Sequence, residues 1–212
     1  MSTEKISVLI PTFNRALLLQ RAIRSIQLQT HKNLDILIYD DGSTDSTDKI
    51  IEKMTKDDDR IFCFKTKNNK GVSHARNELM NRCKTRYAVL QDSDDVSNIY
   101  RIQLLCAKII ELGVPVVNSC FTSLPSHEFL EWRTQPNFVN EKWRWANRGG
   151  GATVMFELDK AFEFDEKMEK AEDTDWRDRM NSYYGREFLI KKILYYVNFS
   201  SNDRLSARRR RR

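Results

Sequence analysis

The chain has 212 residues, of which 40% are hydrophobic and 31% charged, and this balance predicts a soluble globular protein rather than a disordered or fibrous one. The net charge of +6 comes mostly from the five arginines of Arg208–Arg212. A nucleic-acid-binding domain would carry its positive charge on a folded face, so we expect no nucleic-acid partner and interpret residues 208–212 as a disordered basic tail or the start of a linker.

Targeting signals are not evident in the sequence. No apolar run approaches the 18 or so residues of a membrane-spanning helix, and the N-terminus lacks the apolar region of a secretory signal. The four cysteines are far apart and form no CxxC pair. These features predict a cytoplasmic protein with free thiols and no transmembrane segment.

Short β-type runs alternate with longer runs of helical periodicity up to residue 121. The predicted strands cover residues 6–10, 34–39, 61–64, 87–90 and 114–121. The predicted helices cover residues 16–29, 45–54, 71–82 and 99–112. Such alternation predicts a mostly parallel sheet with helices on both faces. Pro115 indicates that the fifth strand either begins there or lies at an edge of the sheet.

The pattern changes after about residue 125. A polar stretch that contains three tryptophans leads to Gly149–Gly151 and an apolar run over residues 152–156. An acidic helix is predicted near residues 172–180, and two β-type runs follow at 188–190 and 193–199.

Five aspartates directly follow the second and fourth predicted strands: Asp40, Asp41, Asp92, Asp94 and Asp95. Ligands of open α/β sheets bind beyond the carboxyl ends of the strands, and crowded carboxylates need a cation or hydrogen-bond donors to offset their repulsion. Oxygen ligands of this kind suit Mg²⁺ or Mn²⁺, with a substrate diphosphate completing the shell. Each cluster alone also fits a simpler role, either in a turn or as a helix cap.

Five segments, in this order along the chain, resemble the motifs of the GT-A-fold, family-2 type of inverting glycosyltransferase. They are Ile6–Arg15, Ile38–Asp45, Asn69–Asn77, Leu90–Asp95 and Ala171–Trp176. The resemblance covers about residues 5–205. It implies a Rossmann-like three-layer α/β/α sandwich around a mostly parallel mixed sheet. It also implies one domain of residues 1–207, with a nucleotide-binding half over 1–124 and an acceptor half over 125–207.

The resemblance implies a UDP-sugar donor and a Mn²⁺ or Mg²⁺ cofactor. The nucleotide-binding residues that it implies are Pro11, Thr12, Phe13, Asn14, Arg15, Asp40, Asp41, Arg76, Asp92 and Ser93. Asp40 or Asp41 would accept the uracil N–H, and Arg76, at a helix start, would lie near the base or the phosphates. Asp94, alone or with Asp95, would hold the metal, while Asp92 would contact the ribose or the metal.

On the acceptor side, the resemblance implies that Asp173 is the general base for a hydroxyl of a glycan or glycoprotein, with Glu172 as the second choice. Without the resemblance, this pair fits a solvated acidic helix start. Trp176 shares a helix face with Asp173 and could stack on a sugar.

For the other acceptor-side residues, a structural role fits the sequence as well as a functional one. Trp143 and Trp145 could contact the acceptor sugar or pack in the core, and Gly150 and Gly151 could shape the donor-sugar pocket or form a plain connection. Many relatives carry a histidine in the last strand. None occurs over residues 195–201, so Asn198 or Asn202 would be a weak substitute as a metal ligand.

Two alternatives remain at this point. A GT-A-like nucleotidyltransferase would carry a glycine-rich phosphate loop, which residues 11–15 lack. A sugar-nucleotide-binding module without catalysis would not need the intact aspartate motifs. The donor sugar, the acceptor and the oligomeric state do not follow from the sequence.

Overall fold

A computed structural model describes residues 3–124 and 151–198, which form one eight-stranded sheet and five helices. The strands are β1 (Ile6–Thr12), β2 (Leu34–Asp40), β3 (Ile61–Lys65), β4 (Tyr87–Leu90), β5 (Val96–Ser97), β6 (Val116–Leu124), β7 (Met155–Glu157) and β8 (Phe188–Asn198). The helices are α1 (Ala16–Gln27), α2 (Thr47–Asp57), α3 (Val72–Arg82), α4 (Arg101–Leu112) and α5 (Glu172–Tyr184).

The sheet is mixed, with the strand order β3-β2-β1-β4-β7-β6-β8-β5. The strands β3, β2, β1 and β4 are parallel to one another. Strand β7 is antiparallel to both β4 and β6, and β8 runs parallel to β6 and antiparallel to β5. Because β1 lies between β2 and β4, the loops that follow these three strands meet at one edge of the sheet.

Both faces of the sheet are covered by helices. Ile6, Val8 and Ile10 of β1 are fully buried in a cluster with apolar residues of α1, α2 and α4. Leu9 alternates to the other face, where it joins residues of α3 and α5. Each such side chain stabilises the fold by about 1.5–3 kcal/mol. The prediction of a three-layer α/β/α sandwich is therefore confirmed.

Several element boundaries differ from the predictions. Helix α2 begins at Thr47 rather than at 45, after a turn in which the Asp45 carboxylate accepts the N–H of Thr47 at 2.9 Å. The two β-type runs near the C-terminus form the single strand β8, whose pairing with β6 shifts register around Cys120. Pro115 directly precedes β6, which lies inside the sheet, so the strand-start interpretation is confirmed and the edge interpretation is wrong.

Some predicted features lie outside the described residues, namely Trp143, Trp145, Gly150, Asn202 and residues 208–212. Gly151 begins a short 3-10 turn that ends at Thr153. The four cysteines are free, and Cys63 is exposed. Of the helices described above, none is both long enough and apolar enough to cross a membrane.

Candidate active site

Asn14 ties the loop after β1 to the loop after β2. Its backbone is left-handed, with φ 51°. Its Oδ1 atom accepts the backbone N–H of Thr44 at 2.8 Å, and its own N–H donates to Ser43 Oγ at 2.9 Å. The Asn14 side chain therefore shapes the predicted nucleotide loop from inside, whereas the neighbouring Phe13 is exposed.

Asp40 and Asp41 have different partners on opposite sides of the sheet. Asp40 is fully buried, accepts the N–H of Ser43 at 2.9 Å and lies 3.5 Å from Lys65 Nζ. The Asp41 carboxylate accepts the backbone N–H groups of Lys70 at 3.0 Å and Gly71 at 2.7 Å, just before α3. Burial raises the pKa of Asp41, and these two N–H groups oppose the rise.

Thr12 is the register partner of Asp40 across β1 and β2. The Thr12 hydroxyl and the Asp40 Oδ2 atom are both buried and accept or donate no hydrogen bond within the described ranges, although Oδ2 is the atom that lies 3.5 Å from Lys65 Nζ. Both side chains lie at the strand ends, on the α1 and α2 side of the sheet, because Asp40 follows Ile36 and Ile38 in the alternation of β2.

Gly42 lets the turn after β2 press against the next loop. Its φ is +79°, and a Cβ atom there would lie 3.0 Å from the backbone of Asn68 and Asn69. A side chain at this position would therefore displace the backbone just before Lys70 and Gly71, whose N–H groups hold Asp41.

The loop after β4 is anchored to β8. The Asp95 side chain is buried and accepts the backbone N–H of Asn198 at 2.8 Å, and the backbone N–H of Asp92 donates to the Tyr195 hydroxyl at 3.0 Å. Ser93 is buried as well. Asp92 keeps 34% of its side chain exposed, and Asp94 Oδ2 lies 3.9 Å from Arg15 Nε.

The donor set fits a divalent metal only in part. No group of three or more His, Cys, Asp or Glu side chains arranged to hold a metal ion occurs in the described parts of the chain. The Asp95 carboxylate is buried and accepts an N–H from β8, which favours Asp92 and Asp94 over Asp95 as the metal ligands; the role of Asp95 as a ligand stays a prediction. Asp92 and Asp94 can each supply a carboxylate oxygen. Mg²⁺ usually takes one or two carboxylates from a protein when substrate phosphates complete its shell.

Arg76 of α3 joins the loop after β4 to the first turn of α5. Its Nη1 atom donates to Glu172 Oε1 at 2.7 Å, and its Nη2 atom donates to Asp92 Oδ1 at 3.1 Å. Burial opposes the charge of Arg76, but the carboxylates of Asp92 and Glu172 raise its pKa above the ordinary value. The side chain is only 4% exposed and forms a bridge between two carboxylates. The implied contact of Arg76 with the base or the phosphates stays a prediction.

The first turn of α5 carries both predicted catalytic carboxylates. Glu172 is buried and paired with Arg76, whereas Asp173 is partly exposed and accepts the N–H of Thr174 at 2.8 Å. Asp173 is therefore the more accessible of the two for an acceptor.

The structure also corrects the prediction for Trp176. The indole is fully buried, stacks on Phe164 at 5.3 Å between ring centroids and donates its N–H to the Phe162 carbonyl at 2.6 Å. It presents no face to a sugar, and its role is to pack α5 onto the sheet.

Arg101 is a site-supporting residue that the motif comparison missed. Its guanidinium is fully buried and donates to the carbonyls of Leu90 at 2.8 Å and Ala152 at 2.6 Å. It also lies 4.6 Å from the centroid of the Tyr195 ring, and burial lowers its pKa to about 10. The available signal was a charged residue on the apolar face of α4, in line with Leu105 and Ile109.

The family description "Glycosyl transferase family 2" matches residues 7–190. The chain is 41% identical over 117 residues to the GalNAc(5)-diNAcBac-PP-undecaprenol beta-1,3-glucosyltransferase of Campylobacter jejuni, covering 55% of this chain and 38% of that protein. It is 40% identical over 92 residues to the UDP-Glc:alpha-D-GlcNAc-diphosphoundecaprenol beta-1,3-glucosyltransferase WfaP of Escherichia coli, covering 43% and 36%. The chain thus spans less than two fifths of the length of these relatives.

Solved structures share the fold. S. aureus TarS 1-349 in complex with UDP-GlcNAc has a TM-score of 0.76 at 19% identity, over 96% of this chain and 61% of that chain. The mannosyltransferase PcManGT from Pyrobaculum calidifontis, in complex with GDP-Man and Mn²⁺, has a TM-score of 0.73 at 17% identity, over 93% and 57%. The family match covers most of the chain and agrees with the fold and with the loops at the sheet edge, and the chain therefore belongs to glycosyl transferase family 2.

Proposed function

We propose that this chain transfers a sugar from a UDP-sugar to an acceptor hydroxyl, with a divalent metal, with inversion, and with Asp173 as the general base. The observation that carries the proposal is the Arg76 bridge, which brings the first turn of α5 next to the carboxylate loop after β4. Asp92, which is proposed for the metal, and Glu172, which directly precedes the proposed base Asp173, thus lie on either side of one guanidinium.

Asp41 is the better candidate for reading uracil. It lies beside the start of α3, the helix that carries Arg76, whereas Asp40 lies on the opposite side of the sheet; both side chains are buried. Two backbone N–H groups fix the Asp41 carboxylate, which as an acceptor matches the imide N–H that uracil has and cytosine lacks. The complex of TarS with UDP supports the same nucleotide.

Asp92 and Asp94 would hold the metal together with the donor diphosphate. Bound there, a divalent cation would act as a Lewis acid that offsets the charge on the leaving phosphate. The Mn²⁺ in the PcManGT complex supports this cofactor, and the donor set of two carboxylates agrees with it.

Asp173 would take the proton from the acceptor hydroxyl. The oxygen of this hydroxyl attacks the anomeric carbon of the donor sugar, and the bond between that carbon and the UDP phosphate breaks. A single displacement of this kind inverts the anomeric centre. Glu172 stays in its ion pair with Arg76 and does not compete for the proton. The acceptor would be a glycan or glycoprotein hydroxyl; the names of two relatives, which refer to glycans on undecaprenol, favour a glycan.

The test is a panel of UDP-sugars with Mn²⁺, in which release of UDP is measured for the wild type, for Asp173→Asn and for the control Asp175→Asn. Asp175 lies on the same helix and pairs with Arg179, so its variant should keep its turnover. Asp173→Asn should keep UDP affinity in calorimetry and lose about 10²–10⁴-fold in transfer, the usual contribution of a general base.

Near-normal turnover by Asp173→Asn would remove Asp173 as the base. A wild type that binds UDP but releases none from any donor would favour a binding module without catalysis.

A further inference from the structure

The hydroxyl of Tyr195 in β8 contacts the loop that carries the proposed metal ligands. We infer that Tyr195 is a positioning residue, which holds Asp92 in place for the metal by accepting its backbone N–H. The inference rests on the proposed function, in which Asp92 and Asp94 bind a divalent cation, and it concerns how these two carboxylates are placed.

The contact with Tyr195 lies just beyond the backbone pairing of β4. This pairing reaches Gln91, whose N–H donates to the carbonyl of Leu9 in β1 at 3.0 Å. The N–H of the next residue, Asp92, donates to the Tyr195 hydroxyl at 3.0 Å. The phenol thus extends the support of the strand by one residue, up to the first proposed metal ligand.

Gln91 holds the rest of this loop together from inside. Its side chain is fully buried, and its Nε2 atom donates to the carbonyls of Asp92 at 3.0 Å and Asp95 at 3.1 Å. The N–H of Asp95 in turn donates to the carbonyl of Asp92 at 3.3 Å. Because these contacts remain without the Tyr195 hydroxyl, we expect its loss to shift the loop as a unit and not to unfold it.

Tyr195 itself is held firmly inside the sheet. Its side chain is buried, and it is the register partner of Phe121 in β6 and of Ser97 in β5. The guanidinium of Arg101 lies 4.6 Å from the centroid of its ring. Tyr195→Phe keeps the ring and these neighbours, and it removes only the oxygen that accepts the Asp92 N–H.

The position of the loop matters because both proposed protein ligands lie in it. Asp92 and Asp94 are two residues apart, and no histidine occurs over residues 195–201 to add a ligand from the last strand. A shift of the loop would therefore move both carboxylates together relative to the donor diphosphate. Residues that orient metal ligands contribute about 10–100-fold to metal affinity or activity.

The decisive variant is Tyr195→Phe, and its matched control is Tyr196→Phe. Tyr196 is the next residue of β8 and is buried as well, but its hydroxyl accepts the side-chain amide of Asn98 at 3.2 Å. Each variant loses one buried hydroxyl that accepts an N–H, so a general loss of stability should be similar in the two. Only Tyr195→Phe removes a contact of the Asp92 loop.

We expect Tyr195→Phe to bind UDP about tenfold more weakly than the wild type at a Mn²⁺ concentration that half-saturates the wild type. In a chelator the two proteins should bind UDP equally. Raising the Mn²⁺ concentration about tenfold should restore most of the lost affinity, because the variant is weakened in the metal site alone. Tyr196→Phe should match the wild type in all three conditions, and calorimetry measures each affinity.

Wild-type affinity of Tyr195→Phe at the half-saturating Mn²⁺ concentration would overturn the inference. An equal loss of UDP affinity in the chelator would also overturn it, because Tyr195 would then support the nucleotide pocket and not the metal ligands. A loss that excess Mn²⁺ does not reverse, or an equal loss in Tyr196→Phe, would contradict it for the same kind of reason: the effect would not be specific to the metal site.

If Tyr195→Phe does not fold, amide hydrogen exchange of the wild type decides. Protection of the Asp92 N–H supports the contact with Tyr195, and exchange as fast as in an unstructured segment contradicts it. The proposed function fails separately, in the wild type alone, if UDP binds equally well in Mn²⁺ and in a chelator or if no donor releases UDP. The exchange measurement still tests the contact in that case.

Discussion

At the scale of single residues, five aspartates of similar sequence context have different partners. Asp40 and Asp41 are held by backbone N–H groups, and Asp95 accepts an N–H from β8. Asp92 meets Arg76, and Asp94 lies near Arg15. The aspartate clusters were recognisable from the sequence, but the partner of each carboxylate was not, because most of these partners are distant in the chain.

This division leads to a prediction for metal-dependent binding. Asp94→Ala should weaken UDP binding in Mn²⁺ by more than about tenfold, since even supporting residues of a metal site contribute 10–100-fold. Asp95→Asn is the matched control. It removes the neighbouring charge but keeps an acceptor for the Asn198 N–H, so the affinity should stay near that of the wild type.

Calorimetry with UDP, in Mn²⁺ and in a chelator, measures both variants. Unchanged UDP affinity in Asp94→Ala would contradict the role of Asp94 as a metal ligand. An equal loss of UDP affinity in Asp95→Asn would indicate that Asp95 is a metal ligand too.

At the scale of elements, Asp58 joins the end of α2 to α1 and β3. Its carboxylate accepts Arg60 Nη2 at 2.7 Å and Arg60 Nε at 2.9 Å, and it accepts Gln27 Nε2 of α1 at 3.0 Å. The hydrogen bonds from Arg60 lower the pKa of Asp58 to about 2. A carboxylate whose pKa is lowered by folding stabilises the protein above its unfolded pKa, near 4, and loses this contribution as the pH falls towards about 2.

Asp58→Asn should therefore lower the free energy of unfolding at pH 7 by up to about 2 kcal/mol, and the difference from the wild type should shrink between pH 4 and pH 2. Urea unfolding at pH 7, 4 and 3 measures the effect. Glu52→Gln, which removes an exposed pair with Lys56, should change little at any of these pH values. A difference for Asp58→Asn that is independent of pH would refute the electrostatic explanation.

At the scale of the whole molecule, Arg101 connects parts of the chain that are far apart. It donates to β4 through Leu90, to the 3-10 turn through Ala152 and to β5 through Ser97 Oγ at 2.8 Å, and it lies against Tyr195 of β8. One buried guanidinium thus connects the end of β4, strand β5, strand β8 and the 3-10 turn at residues 151–153.

Arg101→Met should lower the free energy of unfolding by about 3 kcal/mol or more, because it leaves buried carbonyl groups without donors. Lys108→Met is the control, since Lys108 lies on the same helix in a surface pair with Glu111, and its variant should remain close to the wild type. Chemical denaturation measures both. If Arg101→Met is as stable as Lys108→Met, the buried network does not contribute as described.

The sequence by itself determined the alternation of strands and helices, the acidic strand ends and the family, because apolar periodicity and short motifs are local properties of the chain. Only the tertiary structure decided that Trp176 is buried, that Asp95 belongs to β8 and that Arg76 bridges two carboxylates. Asp95 and Asn198 are 103 residues apart, and Arg76 and Glu172 are 96 apart. Contacts over such separations depend on how the sheet and helices pack, and packing leaves no local signature in the sequence.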